Sequence, residues 1–226
     1  MLFHPRNHLN PHLVTALDMV RFELQQLSGR ARQKGRLDLG GRKYLQLGSG
    51  DTRIPGFVNS DGFHNRDAET HIDARYPLPL PDECLKGVYT HHLVEHLYYA
   101  DAWALFRECH RVLEAGGVMR IVVPDAGRFM QLYANPDPDV RSIVFEIKVV
   151  PSVVELPIEA VDDVFRDTEL NRHASAWDLE SLQHRLHQAG FDRVEEVSVN
   201  ASSDPMLAGY DNPDWAAHSL YVEAIK

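Results

Sequence analysis

The chain has 226 residues, 44% hydrophobic and 25% charged, which is the size and composition of one globular domain with a large core. Its formal net charge of -10 repels a phosphate backbone, so no nucleic-acid partner is expected. No run of eighteen apolar residues occurs, so no membrane span is expected either.

The segment "MLFHPRNHLN" is irregular and has no signal-like pattern. From Pro11 to Lys34, apolar residues recur at Leu13, Leu17, Val20, Leu24 and Leu27, a helical period. Asn10 can cap this N-terminal helix (11–34), Pro11 suits its first turn and Gly35 its end. Short strands are predicted at Lys43–Leu47, Phe57–Ser60, around Asp73 in "THIDA", and at Gly87–Thr90. "PLPLPDE" between the last two can be neither helix nor central strand. A helix is expected from Tyr99 to Leu113, stopped by Gly116 and Gly117, then a buried strand at Val118–Pro124. Residues 126–176 fit neither period cleanly and read as an inserted, mostly helical cap or interface segment. "WDLESLQHRLHQAGF" is a helix ended by Gly190, and "DRVEEVSVN" and "HSLYVEAIK" are closing strands joined by a long loop. Cys84 and Cys109 are the only cysteines, with no CxxC, which fits a reducing compartment and a cytoplasmic location. Strands alternate with helices, so the fold class is α/β. A mostly parallel sheet is expected, with helices on both faces and an antiparallel C-terminal hairpin.

The turn Gly48-Ser49-Gly50 directly follows an apolar strand. Glycine there allows positive φ and close approach of backbone to a ligand. A dinucleotide asks for GxGxxG, but Arg53 stands at the third glycine, and Asp51 would repel a pyrophosphate. No GxxxxGK[ST] string occurs. An adenosyl group without phosphates remains, and Asp61, ending the next strand, can accept from both hydroxyls of a ribose. Packing glycines and a solvated strand end are the bland alternatives.

"DTRIPGFVNSDG", "IDARYPLPLPDECLKGVYTHHLVEHL" and "RVLEAGGVMRIVVPD", followed later by "RHASAWDLESLQHRLHQAGF", resemble the class I S-adenosylmethionine-dependent methyltransferases. The resemblance is closest to the small-domain group with the order LNLGCG, PGxxNxD, DxxxPLPF, HxxEH, RVLxPGG and PD. It covers about Lys43 to Asp125 and resumes near His173. Ser49 stands for the common cysteine, Ala74 for a large apolar residue, and "LEAGG" for "LKPGG". The resemblance implies a Rossmann-like seven-stranded methyltransferase sheet and S-adenosyl-L-methionine as cofactor. It places Leu47, Gly48, Ser49 and Gly50 around the amino-acid part of the cofactor. Asp61 then falls on the ribose, Asp73 with Ala74 at the adenine edge, and His91 beside the transferable methyl. Asp73 capping the next turn is the alternative.

"HHLVEH" also satisfies the HxxEH string of inverted zinc peptidases through His92, Glu95 and His96. Zinc wants a third protein ligand, and the motif begins at a strand end, so no metal is expected. Glu95 is read as pairing with an arginine or a backbone amide. Strand alternation sends His91 and His92 opposite ways. Either can serve as a base toward an acceptor hydroxyl, with His92 preferred, or can only bond the crevice backbone. Asp125 can bind substrate, orient a histidine or cap the next segment. The expected activity is methyl transfer to a small molecule, with an oxygen of a sugar or secondary metabolite preferred. A homodimer through residues 126–176 or the N-terminal helix is compatible with the sequence. The alternative is a catalytically silent methyltransferase-like binding domain.

Overall fold

A computed structural model describes residues 37–62, 68–134, 156–166 and 173–226, together with positions 17, 20, 21, 23, 24, 26 and 27. Those N-terminal positions are helical. The rest of the expected 11–34 helix, and residues 135–155 and 167–172 of the expected insert, lie outside the described residues.

Seven strands form one sheet in the order β3-β2-β1-β4-β5-β7-β6. They are β1 (Tyr44–Leu47), β2 (Phe57–Asp61), β3 (Thr70–His71), β4 (Leu85–His91), β5 (Leu113–Pro124), β6 (Arg193–Glu196) and β7 (Ser219–Ile225). β1 to β5 run parallel, while β7 runs antiparallel to both β5 and β6. The antiparallel C-terminal hairpin is present, with β7 inserted between β5 and the edge strand β6. The helices are α1 (Tyr99–Val112), α2 (Ala126–Ala134), α3 (Pro157–Arg166) and α4 (Leu179–Ala189). Among the described residues, no helix is long and apolar enough to cross a membrane.

Local chemistry explains these boundaries. α4 opens on a capping box, in which Ser181 N–H donates to Asp178 Oδ1 (2.9 Å) and Asp178 N–H to Ser181 Oγ (3.0 Å). It closes on Gly190 at φ +110°, where a side chain would be strained. α1 ends at Val112, earlier than the glycines suggested, because Leu113 is already extended and pairs with Leu85. Gly116 and Gly117 therefore lie within β5 rather than stopping the helix.

Period-2 alternation divides the core. Leu45, Leu47, Val58, Val88, Met119, Ile121, Val123, Leu220 and Val222 form the main core with Leu105, Phe106, Leu182 and Leu186 of α1 and α4. On the opposite face, Phe57, Tyr89 and Val118 pack with Ile54 and Leu207 from loops.

That second face also holds a buried charge cluster. Arg120 is 0% exposed. Its Nη2 meets Asp211 Oδ2 at 2.5 Å and its Nη1 meets Glu223 Oε1 at 3.4 Å. Tyr89 donates to Asp211 Oδ1 (3.0 Å), and Ser203 N–H to Glu223 Oε2 (2.9 Å). Arg120 Nη1 also donates to the carbonyl of Ala201 (2.5 Å). These bonds fasten the 198–215 loop to the sheet. Cys109 is buried and Cys84 partly so.

Candidate active site

β1 lies between β2 and β4, the point where the order of the sheet reverses. Leu47 is in register with Ser60 and with Thr90, so the next residues, Gly48, Asp61 and His91, share one level at the carboxyl edge. This is where open α/β sheets bind ligands.

Residues 48–56 join β1 to β2 without a helix. Buried Asn59 takes over the work of the missing backbone bonds. Its Oδ1 accepts from Ile54 N–H (2.8 Å), and its Nδ2 donates to the carbonyls of Ile54 and Phe57 (both 3.2 Å) and to Glu69 Oε1 (3.0 Å). Arg42 adds a bond to the Phe57 carbonyl (2.8 Å). The short "RIPG" connection is held from beneath by this network.

Above it, Gly48 and Gly50 have φ of +69° and +51°. A Cβ on Gly48 would come within 3.0 Å of Leu93, whereas one on Gly50 would meet nothing within 4 Å. Gly48 is thus required for packing, and Gly50 faces open space. Gly50 N–H donates to Asp61 Oδ2 at 2.8 Å, and Ser49 N–H to the Ser60 carbonyl at 2.9 Å. The Ser49 hydroxyl is buried with no protein partner. Leu47 and Ala74 are buried core residues.

Asp73 is bound to Arg75 before any ligand arrives. Its Oδ1 accepts from Arg75 N–H (3.1 Å) and Nε (3.0 Å), and its Oδ2 from Nη2 (3.0 Å). Arg75 also pairs with Glu23 of the N-terminal helix (2.7 Å). This is the turn-capping role weighed from the sequence, with a clamp on the N-terminal segment added. Gln26 of the same segment donates to the Gly62 carbonyl.

His91 and His92 do not point opposite ways. β4 ends at His91, and His92 has φ +50°, a left-handed conformation that histidine adopts more readily than most residues. That reversal cancels the alternation, and the two rings lie 4.9 Å apart on one side. Trp215 covers both, stacked on His91 (5.2 Å) and edge-on to His92 (4.5 Å), with His218 6.1 Å from His92. His92 Nε2 is 3.0 Å from Ser219 Oγ. Burial, reinforced by neighbouring histidines, lowers His91 and His218 to about 4 and His92 to about 3.

Among the described residues no arginine pairs with Glu95. It sits in a 3-10 turn, Val94–His96, ahead of α1. It is 1% exposed, and among the described residues no other residue donates a hydrogen bond to its carboxylate. Its Oε1 lies 3.1 Å from His92 Nδ1, outside hydrogen-bonding alignment. Burial pushes its carboxyl up to about 7.

Asp125 is an N-cap, with its Oδ1 accepting from Arg128 N–H at 3.0 Å. It also bridges to Trp177, a packing aromatic of the main core. His173 lies 4.9 Å from His96.

The sequence reading missed Trp215, His218, Ser219 and the Arg120–Asp211–Glu223 cluster. Trp215 and His218 sit in and beside a loop with no periodicity to mark them. The available signal was a charge inside each of two apolar strands, "VMRIVVP" and "SLYVEAIK".

A methyltransferase-domain family model matches residues 57–121. A search of curated proteins found no match. An S-adenosylmethionine-dependent methyltransferase of Thermotoga maritima, described as a possible histamine N-methyltransferase, superposes with a TM-score of 0.53 at 15% identity. The match covers 90% of this chain and 88% of that one. Residues 57–121 thus resemble a methyltransferase domain, and the chain has the fold of that methyltransferase. A second such methyltransferase, from Archaeoglobus fulgidus, superposes at TM-score 0.49 and 17% identity, covering 91% of this chain and 94% of its own. Both of these neighbours are described as dependent on S-adenosylmethionine.

Proposed function

We propose that this chain is an S-adenosylmethionine-dependent methyltransferase acting on a small-molecule acceptor held at the carboxyl ends of β1, β2 and β4, with an oxygen of a sugar or secondary metabolite as the preferred acceptor atom. The observation that carries the reading is the Gly48–Gly50 turn tied to Asp61, with the covered pair His91 and His92 on the adjoining strand. The residues fit an adenosyl group. Gly50 faces open space, the buried Ser49 hydroxyl has no protein partner, and Asp61 stands at the end of β2.

S-adenosylmethionine, when bound, supplies the electrophilic methyl. Gly48, Ser49 and Gly50 present backbone to its amino-acid part, with Leu47 beneath them. Asp61 accepts from the ribose hydroxyls while holding Gly50. Asp73 and Ala74 border the adenine edge, where Asp73 works through Arg75. His91 and His92 face the acceptor and align its nucleophilic atom, and Trp215 excludes water from them. Asp125 acts as a positioning residue through its cap on α2.

The net charge of -10 supports a small molecule over nucleic acid. The presence of only two cysteines, with no CxxC, supports a reducing, cytoplasmic setting. A homodimer is consistent with the exposed Leu17, Val20, Leu24 and Leu27 of the N-terminal helix.

Incubation with S-adenosylmethionine and a panel of hydroxylated small molecules tests the reading. Acceptor-dependent release of S-adenosylhomocysteine is the expected result. Cofactor binding without turnover on any acceptor would favour a catalytically silent domain instead.

A further inference from the structure

The sequence offers a third metal ligand only from far along the chain. The segment after residue 172 returns to the 3-10 turn, where Ala174 N–H and Ser175 N–H both donate to the Glu95 carbonyl, at 2.7 and 3.0 Å. Trp177 donates to Ser175 Oγ (2.8 Å), and Tyr99 donates to the Ala176 carbonyl (2.6 Å). These bonds fix His173 opposite Glu95 and His96. One ligand atom from each of Glu95, His96 and His173 lies within 4.8 Å of the other two.

A second observation points to a cation. Glu95 is 1% exposed, and among the described residues no other residue donates a hydrogen bond to its carboxylate. A buried carboxylate left this way is costly and is normally paired or metal-bound. Among the described residues no lysine or arginine pairs with it.

We propose that Glu95, His96 and His173 form a site for one divalent transition-metal ion of the zinc class. Two imidazoles and one carboxylate suit such an ion, whereas magnesium and calcium prefer all-oxygen shells. An ion about 2.0–2.1 Å from each donor would draw the three together to about 3.4 Å, a rotamer-scale adjustment. With three protein ligands, the ion keeps an open position for water or an acceptor group. His92 Nδ1 lies 3.1 Å from Glu95 Oε1, near enough to support the carboxylate once it turns toward the ion. This arrangement is not the peptidase pattern, because His92 is the supporting group and His173 the ligand. The proposal is independent of the acceptor assigned above.

The test uses the full chain, free of any affinity tag and stripped with a chelator. Cobalt(II) is titrated in and followed by its visible ligand-field absorption, with zinc competition. One saturable equivalent per chain, displaced by zinc, is expected. His173→Ala should weaken binding by about 100-fold or more, and His96→Ala likewise, with far-UV circular dichroism unchanged. His218→Ala, in the neighbouring histidine cluster, should bind as the unaltered protein does. No saturable binding, equal binding by His173→Ala, or loss on His218→Ala in its place would overturn the site.

Discussion

On one face of the sheet Leu45, Val88, Ile121 and Val222 pack beneath α1 and α4. On the other, Arg120 lies between Asp211 and Glu223 beneath a loop that carries Trp215 over His91 and His92. The first face is held by area removed from water, which tolerates many sequences of the right shape. The second is held by a few directional bonds between residues far apart in the chain, and each of them has a particular partner. The difference separates stability from site construction. Damage to the helix-covered face should lower stability and leave the site's geometry alone, whereas damage to the charged face should do both.

The largest effect is expected from Arg120→Met, which leaves Asp211 and Glu223 buried without their cation. Denaturant unfolding should register a loss of about 3–5 kcal/mol. Adding Asp211→Asn and Glu223→Gln should recover much of it, since no buried charge then remains. A loss below about 1 kcal/mol for the single change would mean that the cluster does not hold this face.

Leu186→Ala on the helix-covered face should cost about 2–5 kcal/mol by the same measurement. Cofactor affinity should stay as it was. A matched fall in affinity would erase the distinction between the faces.

Asp178→Ala removes the side-chain acceptor of the α4 capping box, leaving the backbone bond to Ser181 Oγ, and should cost about 1 kcal/mol. Bonds from Ser181 hold the Asp178 carboxyl below the usual carboxylate range. The folded protein therefore binds that proton less readily than the unfolded chain. The cap's contribution is present above the unfolded value of about 3.9 and is lost as pH falls through the lower folded value. Stability curves of the two proteins should accordingly converge in acid; a constant gap would contradict an ionised cap.

The smallest effect belongs to Tyr89→Phe. Asp211 keeps Arg120 and loses one hydroxyl donor, which should cost about 0.5–1.5 kcal/mol. The His91–Trp215 stack should relax with it, visible as a shift in tryptophan emission.

The same contrast governs what could be read from the sequence. Strand and helix periods are local, so α4, β1 and β2 were legible to within a residue or two, as was the loop that replaces the first helix. The glycine turn and Asp61 were legible because a strand-turn-strand-acid spacing is itself local. Arg120, Asp211 and Glu223 were not, since their bonds span 91 and 103 positions. The orientation of His92 was misread because one positive φ overrides alternation. The surroundings of Glu95 were not legible for a related reason, as the segment facing it arrives from residues 173–177.

The central claim is that the Gly48–Gly50 turn and Asp61 hold an adenosyl group. Isothermal titration of S-adenosylmethionine into the unaltered protein, Asp61→Asn and Asp61→Ala tests it most directly. Asparagine keeps an acceptor for Gly50 N–H but loses the charge and one acceptor oxygen. The account predicts binding by the unaltered protein, weaker binding by Asp61→Asn and the weakest by Asp61→Ala. Absence of binding at high micromolar cofactor, or equal affinity across the three, would contradict it.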